Sequence, residues 1–197
     1  MLGTDHFIHL RIIQKLKVSD RYLLNDVFTF NEKYCFYPFL FHWLLSKLPN
    51  RIFQGHGYKK INLAVNILRL FFFNIFCLKF DFLSGALQLF IINVIFITFP
   101  FSYLKWNAIN TGLSARGFGL LLGEVYLYLI FIYFFSKSYL IYLIICFFGV
   151  LFFLGSQFAT QFFILSNLFF TIYNLDLRYI FIPITSLIIY FVAFNKV

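Results

Sequence analysis

The side chains best suited to chemistry cluster at the start of the chain, where Gly3-Thr4-Asp5-His6-Phe7-Ile8-His9-Leu10 runs on to Arg11, Lys15 and Lys17. One acid and two histidines, the groups that most readily move protons near neutrality, fall there within about one helical turn of each other. All four histidines of the protein lie before residue 57, as do four of its seven acids. Nine of the sixteen Lys and Arg residues also fall within residues 1–60. So uneven a charge marks a surface suited to anionic headgroups or phosphates. Nucleic acid is a poor partner for it, because the basic region runs directly into long apolar stretches.

These residues need an element to hold them, and residues 4–18 read as an amphipathic helix. Thr4 suits the N-cap, its hydroxyl accepting a bond from an otherwise unpaired amide of the first turn. Asp5 then lies at the positive end of the helix dipole, where a carboxylate stays ionised, and shares a face with His9 four residues on. Ile8, Ile12 and Leu16 form an apolar stripe beside a basic one of Arg11 and Lys15. A helix of this kind lies in a membrane interface with its basic face toward headgroups. Residues 19–36 are mixed and suit a loop. Tyr37-Pro38-Phe39-Leu40-Phe41-His42-Trp43-Leu44-Leu45 reads as a second, short helix with Pro38 at its first position and boundary-type aromatics at Tyr37 and Trp43. His42 fits a packed position beneath it.

The rest of the chain is hydrocarbon. Overall, 62% of residues are hydrophobic and 12% charged, against about 45–50% and about 25% in soluble domains. The expected fold is therefore all-α: a polytopic transmembrane bundle behind an interfacial amphipathic segment. Residues 1–60 are expected to form the extramembrane part and 61–197 the membrane region. About six helices of spanning length are expected near 61–80, 83–104, 118–135, 139–155, 158–174 and 179–195. Asn62, Asn66, Arg69 and Asn74 interrupt the first and must face protein or a water-filled cavity. Glu124, inside the third, is a functional candidate by its position or a hydrogen-bonding partner for Tyr or Ser on neighbouring helices; Asn93, Gln88 and Asn167 suit interhelical hydrogen bonds. The 33 phenylalanines fit lipid-facing positions as well as Leu or Ile would and do not spell an aromatic cofactor box. Cys35, Cys77 and Cys146 have no metal spacing, and the first residues lack the basic region and apolar core of a cleavable signal.

Connections between the windows alternate. Lys79–Phe82, Ser136–Ser138 and Leu175–Arg178 are very short. By parity the N-terminal region, the polar loop Lys105–Gly117 and the turn Gly155-Ser156-Gln157 share the other membrane face.

The Gly-x-Asp-x-x-x-His-Leu setting, the Tyr-Pro-Phe-Leu-Phe-His-Trp-Leu-Leu segment some thirty residues later, and the patches Ser114-Ala115-Arg116-Gly117-Phe118-Gly119 and Gly155-Ser156-Gln157-Phe158-Ala159-Thr160-Gln161 together resemble the GT-C superfamily of membrane glycosyltransferases. These enzymes take sugars from polyprenyl-phosphate carriers, and the resemblance covers most of the chain. It implies that Asp5 is the catalytic base or a ligand of metal and acceptor, with His6 where a second acid or polar residue often stands. Asp5 and His6 are then the metal ligands if a divalent ion takes part. His6, His9, Arg11, Lys105, Arg116 and Gln157 become donor-phosphate or substrate contacts, Arg being best suited to a bidentate phosphate contact. The partners implied are the bilayer, a polyprenyl-phosphate-linked hexose or pentose, and a glycan, lipid or protein acceptor, in polysaccharide assembly at a bacterial inner (cytoplasmic) membrane.

Members of that family carry a transmembrane helix before the acidic loop and further spans or a domain at the end. Against that pattern the chain reads as lacking the first helix and the C-terminal part, which leaves room for a separately encoded partner chain. Two other readings stand beside the transferase: a transporter or flippase for a lipid-linked saccharide, and an inactive membrane fragment or assembly subunit. In the plainer reading of the residues, Asp5 is a dipole-stabilised N-terminal acid, the basic face of residues 11–21 is a headgroup anchor, and Arg116 snorkels.

Overall fold

Long runs of Leu, Ile and Phe with few breakers can satisfy their backbone in apolar surroundings only by closing it into helices. The chain does so. The computed structural model of the chain describes residues 4–19, 24–25, 34–35, 40–53, 57–80, 85–98, 115–155 and 157–194. Among the described residues there are eight α-helices: α1 (Thr4–Ser19), α2 (Leu40–Ser46), α3 (Gly57–Lys79), α4 (Ala86–Thr98), α5 (Ala115–Ser136), α6 (Tyr139–Gly155), α7 (Gln157–Asn174) and α8 (Arg178–Phe194). A 3-10 turn at Asn50–Phe53 precedes α3. Within the stretch expected to be a loop, Leu24–Asn25 (β1) and Tyr34–Cys35 (β2) form a two-residue antiparallel pair.

Two of these helices, α3 over Gly57–Lys79 and α5 over Gly117–Ser136, are long and apolar enough to cross a membrane; α6 and α8 are shorter apolar helices. α3 starts at Gly57 rather than at 61. A Cβ at Gly57 would collide with the Ile52 carbonyl oxygen, so the 3-10 turn lies directly against the first residue of α3. Pro38 and the residues beside it lie outside the described residues, as does the 99–114 connection.

Helices α5, α6, α7 and α8 pack against one another, α3 lies along α5, and α4 leans on α3. The bundle core is aromatic. Tyr126 (α5) meets Phe152 (α6) edge-on at 5.4 Å and Phe163 (α7) at 5.1 Å, and Phe152 stacks on Phe163 at 4.8 Å between centroids. All three are fully buried. Such ring geometries add about 0.5–1.5 kcal/mol per pair beyond the area buried. α6 and α8 approach closely at Gly149, where an added Cβ would overlap Ser186 Oγ and come within 2.6 Å of the Phe163 ring. The Ser186 hydroxyl lies 2.8 Å from the carbonyl oxygens of both Cys146 on α6 and Ile182 on its own helix. Close approach at small residues is the kind of contact that also brings helices together inside membranes, where no hydrophobic effect drives them.

The α1–α2 unit seats on one end of this bundle. Ile13 of α1, Phe41 and Leu45 of α2, Tyr58 and Ile61 of α3 and Ala115 of α5 form a single buried cluster. Ile12 and Leu16 pack with Ile8 and Trp43. The apolar stripe of α1 is thus spent on its own chain, chiefly against α2, and widened by Ile13, which joins the buried cluster that α2 shares with the starts of α3 and α5. Lys17 closes the unit, its ammonium donating to the Leu48 carbonyl at 2.6 Å and to Asn50 Oδ1 at 2.5 Å.

At the opposite end the tight turns between α5 and α6 and between α7 and α8 come together. Each contains a residue in the left-handed region, Lys137 (φ 50°) and Leu175 (φ 51°). Asp176 accepts from Arg178 at 2.7 Å and lies 4.0 Å from Lys137, whose ammonium also donates to the Tyr179 hydroxyl at 3.2 Å. The Arg178 guanidinium holds the Asp176 carboxyl below its ordinary value of 3.8. A lowered carboxylate pKa stabilises the fold at pH values above 3.8, and the effect fades as pH falls through the native value. The melting-temperature gap between wild type and Asp176→Asn should therefore be constant at neutral pH and close below about pH 4; a gap that widens on acidification contradicts this arrangement.

Candidate functional site

His9 and His42 meet between α1 and α2. His9 Nδ1 lies 2.7 Å from His42 Nε2 in a buried hydrogen bond; the ring planes are 24° apart, with centroids at 4.9 Å. His42 is fully buried and His9 nearly so. A bond of this kind needs one nitrogen lone pair, so the two rings cannot both be imidazolium in this geometry. Phe41 packs edge-on against His42 at 5.5 Å and lies tilted against Phe118 of α5 at 5.6 Å, which ties the pair to the start of α5. His42 is the packed residue the sequence suggested. Its partnership with His9, 33 positions away, carries no local signal.

The expected site residues divide by position. Asp5 and His6 lie in the first turn of α1, one turn before His9, Arg116 is the second residue of α5, and Gln157 is the first of α7. For these four the backbone is described and the side chains are not; Lys105 lies outside the described residues. Ala115, beside Arg116, packs in the cluster with Ile13 of α1. Gly155, which ends α6 just before Gln157, lies against Leu122 and Phe118 of α5. The backbones carrying Asp5, Arg116 and Gln157 therefore belong to one end of the bundle. Arg11 is exposed and, two residues from His9, points away from the buried histidine pair. Among the described residues no group of three His, Cys, Asp or Glu could hold a metal ion.

A second polar constellation lies in the middle of the helices. Arg69 of α3 donates to Glu124 Oε1 of α5 through Nε at 3.0 Å and Nη2 at 2.7 Å, and its Nη1 donates to Asn66 Oδ1 at 3.3 Å. The two charged side chains are only 17% and 19% exposed. The acid thus finds an arginine rather than the Tyr or Ser suggested by its surroundings. Glu124 Oε2 is buried with no hydrogen-bond partner among the described residues, so one acceptor of the carboxylate remains to be satisfied. Farther along α3, Asn74 and Asn93 of α4 exchange amide hydrogen bonds at 2.9 and 2.8 Å. An apolar groove of about 700 Å³ runs between α5 and α7, lined by Leu127, Phe131, Phe162, Phe169 and neighbouring rings. It lies mostly in the half of the bundle away from α1.

Compared with protein families, with curated proteins and with solved structures, the chain has no match.

The histidine pair yields an expectation about α1. His42→Ala removes a buried ring and leaves His9 short of a buried partner, a loss of about 2–4 kcal/mol. Thermal unfolding should show that loss together with faster proteolysis of residues 4–19; unchanged stability and protection would mean that the pair does not hold α1 in place.

Proposed function

We propose that this chain is a multi-pass integral membrane protein whose apolar helices cross the bilayer, and that it works as a GT-C-like glycosyltransferase or as a portion of one. The membrane reading is supported by the outward face of the two long apolar helices. Only 17% and 33% of their most apolar stretches are buried, so most of that hydrocarbon surface needs lipid or another apolar cover.

The observation that supports the transferase reading is that Ile13 of α1 belongs to the buried cluster holding Phe41 and Leu45 of α2 and the starts of α3 and α5. It gives the acid-bearing helix a fixed place at the bundle end where α5 and α7 begin. In this reading the Asp5 carboxylate takes the proton of an acceptor hydroxyl. That oxygen attacks the anomeric carbon of a polyprenyl-phosphate-linked sugar, and the bond to the carrier phosphate breaks. A cation at the departing phosphate stabilises its charge; Arg116 and Lys105 are the residues assigned to that role. His9, buried against His42, supports α1 rather than touching the donor. Arg11, exposed on the other side, suits headgroups better than a clamp on the reacting phosphate. A divalent ion, if Asp5 and His6 held one, would polarise the same phosphate.

One observation favours the rival from another class. A charged pair inside apolar helices marks ion and substrate paths in transporters, and the Arg69–Glu124 pair would serve a transporter or flippase for a lipid-linked saccharide. An assembly subunit remains the third reading.

The test is reconstitution in liposomes with radiolabelled polyprenyl-phosphate hexoses and pentoses, following both transfer and transbilayer movement. Transfer that falls about 10²–10⁴-fold in Asp5→Asn is the expected result. Full transfer in Asp5→Asn would remove Asp5 from the mechanism, and lipid movement without transfer would decide for the flippase.

A further inference from the structure

The two ends of the bundle carry charge differently. At the turn end, Lys137 and Arg178 both converge on Asp176, and Lys79 is exposed at the end of α3. At the α1–α2 end, Arg11, Lys47, Arg51, Lys59 and Lys60 are all exposed. They come from α1, the turn after α2, the 3-10 turn and the first turn of α3, whose neighbouring residues share one buried cluster.

Their depth is fixed by α3. Lys59 and Lys60 occupy its first turn, immediately before Ile61, where the apolar part of a helix able to cross a membrane begins. A lysine at that level reaches the phosphate layer with its ammonium while its stem stays against hydrocarbon. Lys47 lies over the Trp43 ring, 5.4 Å from its centroid, an amphipathic pairing suited to the same layer. Phe7 (61% exposed) and Leu44 (42%) give the collar apolar side chains as well.

We infer that this basic collar is a docking surface for the headgroups of an anionic phospholipid leaflet, and that it sets the protein's orientation with the α1–α2 end toward that leaflet. The inference rests on the membrane reading and is independent of the transferase reading. Zwitterionic headgroups offer no net charge to five exposed cations. Anionic ones do, at about 1 kcal/mol for each basic side chain near the surface, or about fivefold in association for each lysine. At the turn end Asp176 offsets part of the charge of Lys137, Arg178 and Lys79, so its pull on anionic headgroups is weaker.

The experiment uses the full chain in detergent or zwitterionic nanodiscs. Thermal unfolding is followed on adding phosphatidylglycerol, phosphatidylcholine or inorganic phosphate, for wild type, Arg51→Gln/Lys59→Gln/Lys60→Gln, Lys59→Arg/Lys60→Arg, and Lys79→Gln. Phosphatidylglycerol should raise the melting temperature by several degrees in wild type, in the arginine variant and in Lys79→Gln. The rise should be mostly lost in the glutamine triple variant and in high salt. An equal rise with phosphatidylcholine or with phosphate alone, or no loss in high salt, overturns the proposal. The salt comparison needs wild type alone and stands even if the triple variant fails to fold. Recovery of the chain in the aqueous phase without detergent would fail the membrane reading, whereas membrane insertion without lipid selectivity fails only this one.

Discussion

The constraint on which the rest of this structure depends is that Arg69 and Glu124 must meet. Arg69 lies about 18 Å along α3 and Glu124 about 14 Å along α5, counting about 1.5 Å per residue from starts that share one cluster. Each charge therefore stands near the middle of one of the two helices long and apolar enough to cross a membrane. Alone, either would cost several kcal/mol in apolar surroundings. Paired through two hydrogen bonds to one oxygen, they fix the rotation and the axial register of α3 against α5. Asn66 supports the arginine from the previous turn of α3, and the Asn74–Asn93 exchange then fixes α4 on α3 in the same manner. Register set by polar pairs, with hydrocarbon facing outward, is the usual division of labour where lipid supplies no hydrophobic drive between helices.

With α3 placed on α5, the starts of both helices come level. Tyr58, Ile61 and Ala115 at those starts share a buried cluster with Ile13 and Phe41. The docking of α1–α2, the burial of the His9–His42 pair and the convergence of Arg11, Lys47, Arg51, Lys59 and Lys60 on that end all go with this cluster. The four-helix part behind it is held differently, by stacked rings around Tyr126, Phe152 and Phe163 and by the close contact at Gly149. Two packing modes thus meet along α5, one polar and register-setting, the other aromatic and space-filling.

Much of this was legible in the sequence, for a simple reason. Uninterrupted apolar runs bounded by short polar turns have few alternatives to a helix, so 118–135 and 139–155 correspond closely to α5 and α6. The polar residues of α3 and α4 announced that they need partners, since polar groups in apolar surroundings are costly to leave unsatisfied. Which partners they find was not legible. Arg69 and Glu124 are 55 positions apart, His9 and His42 are 33 apart, and only the packing of helices brings each pair within reach. The site reading was legible as a cluster of residue types and not as geometry. α1 was expected to lay its apolar stripe in the interface, whereas Ile12, Ile13 and Leu16 are buried against the chain itself. Ile13 escaped the stripe because an i, i+4 pattern marks a single row of positions, whereas the buried face of α1 is wide enough to take in Ile13 beside Ile12.

The most direct test of the register-setting pair is a double-mutant cycle with Arg69→Met, Glu124→Gln and the combined variant, read by reversible unfolding in micelles or bicelles. Each single change is expected to cost about 3 kcal/mol, because it strands the other charge. The combined variant should lose much less than the sum. Strictly additive losses, or singles indistinguishable from wild type, would show that α3 and α5 are not held in register by this pair.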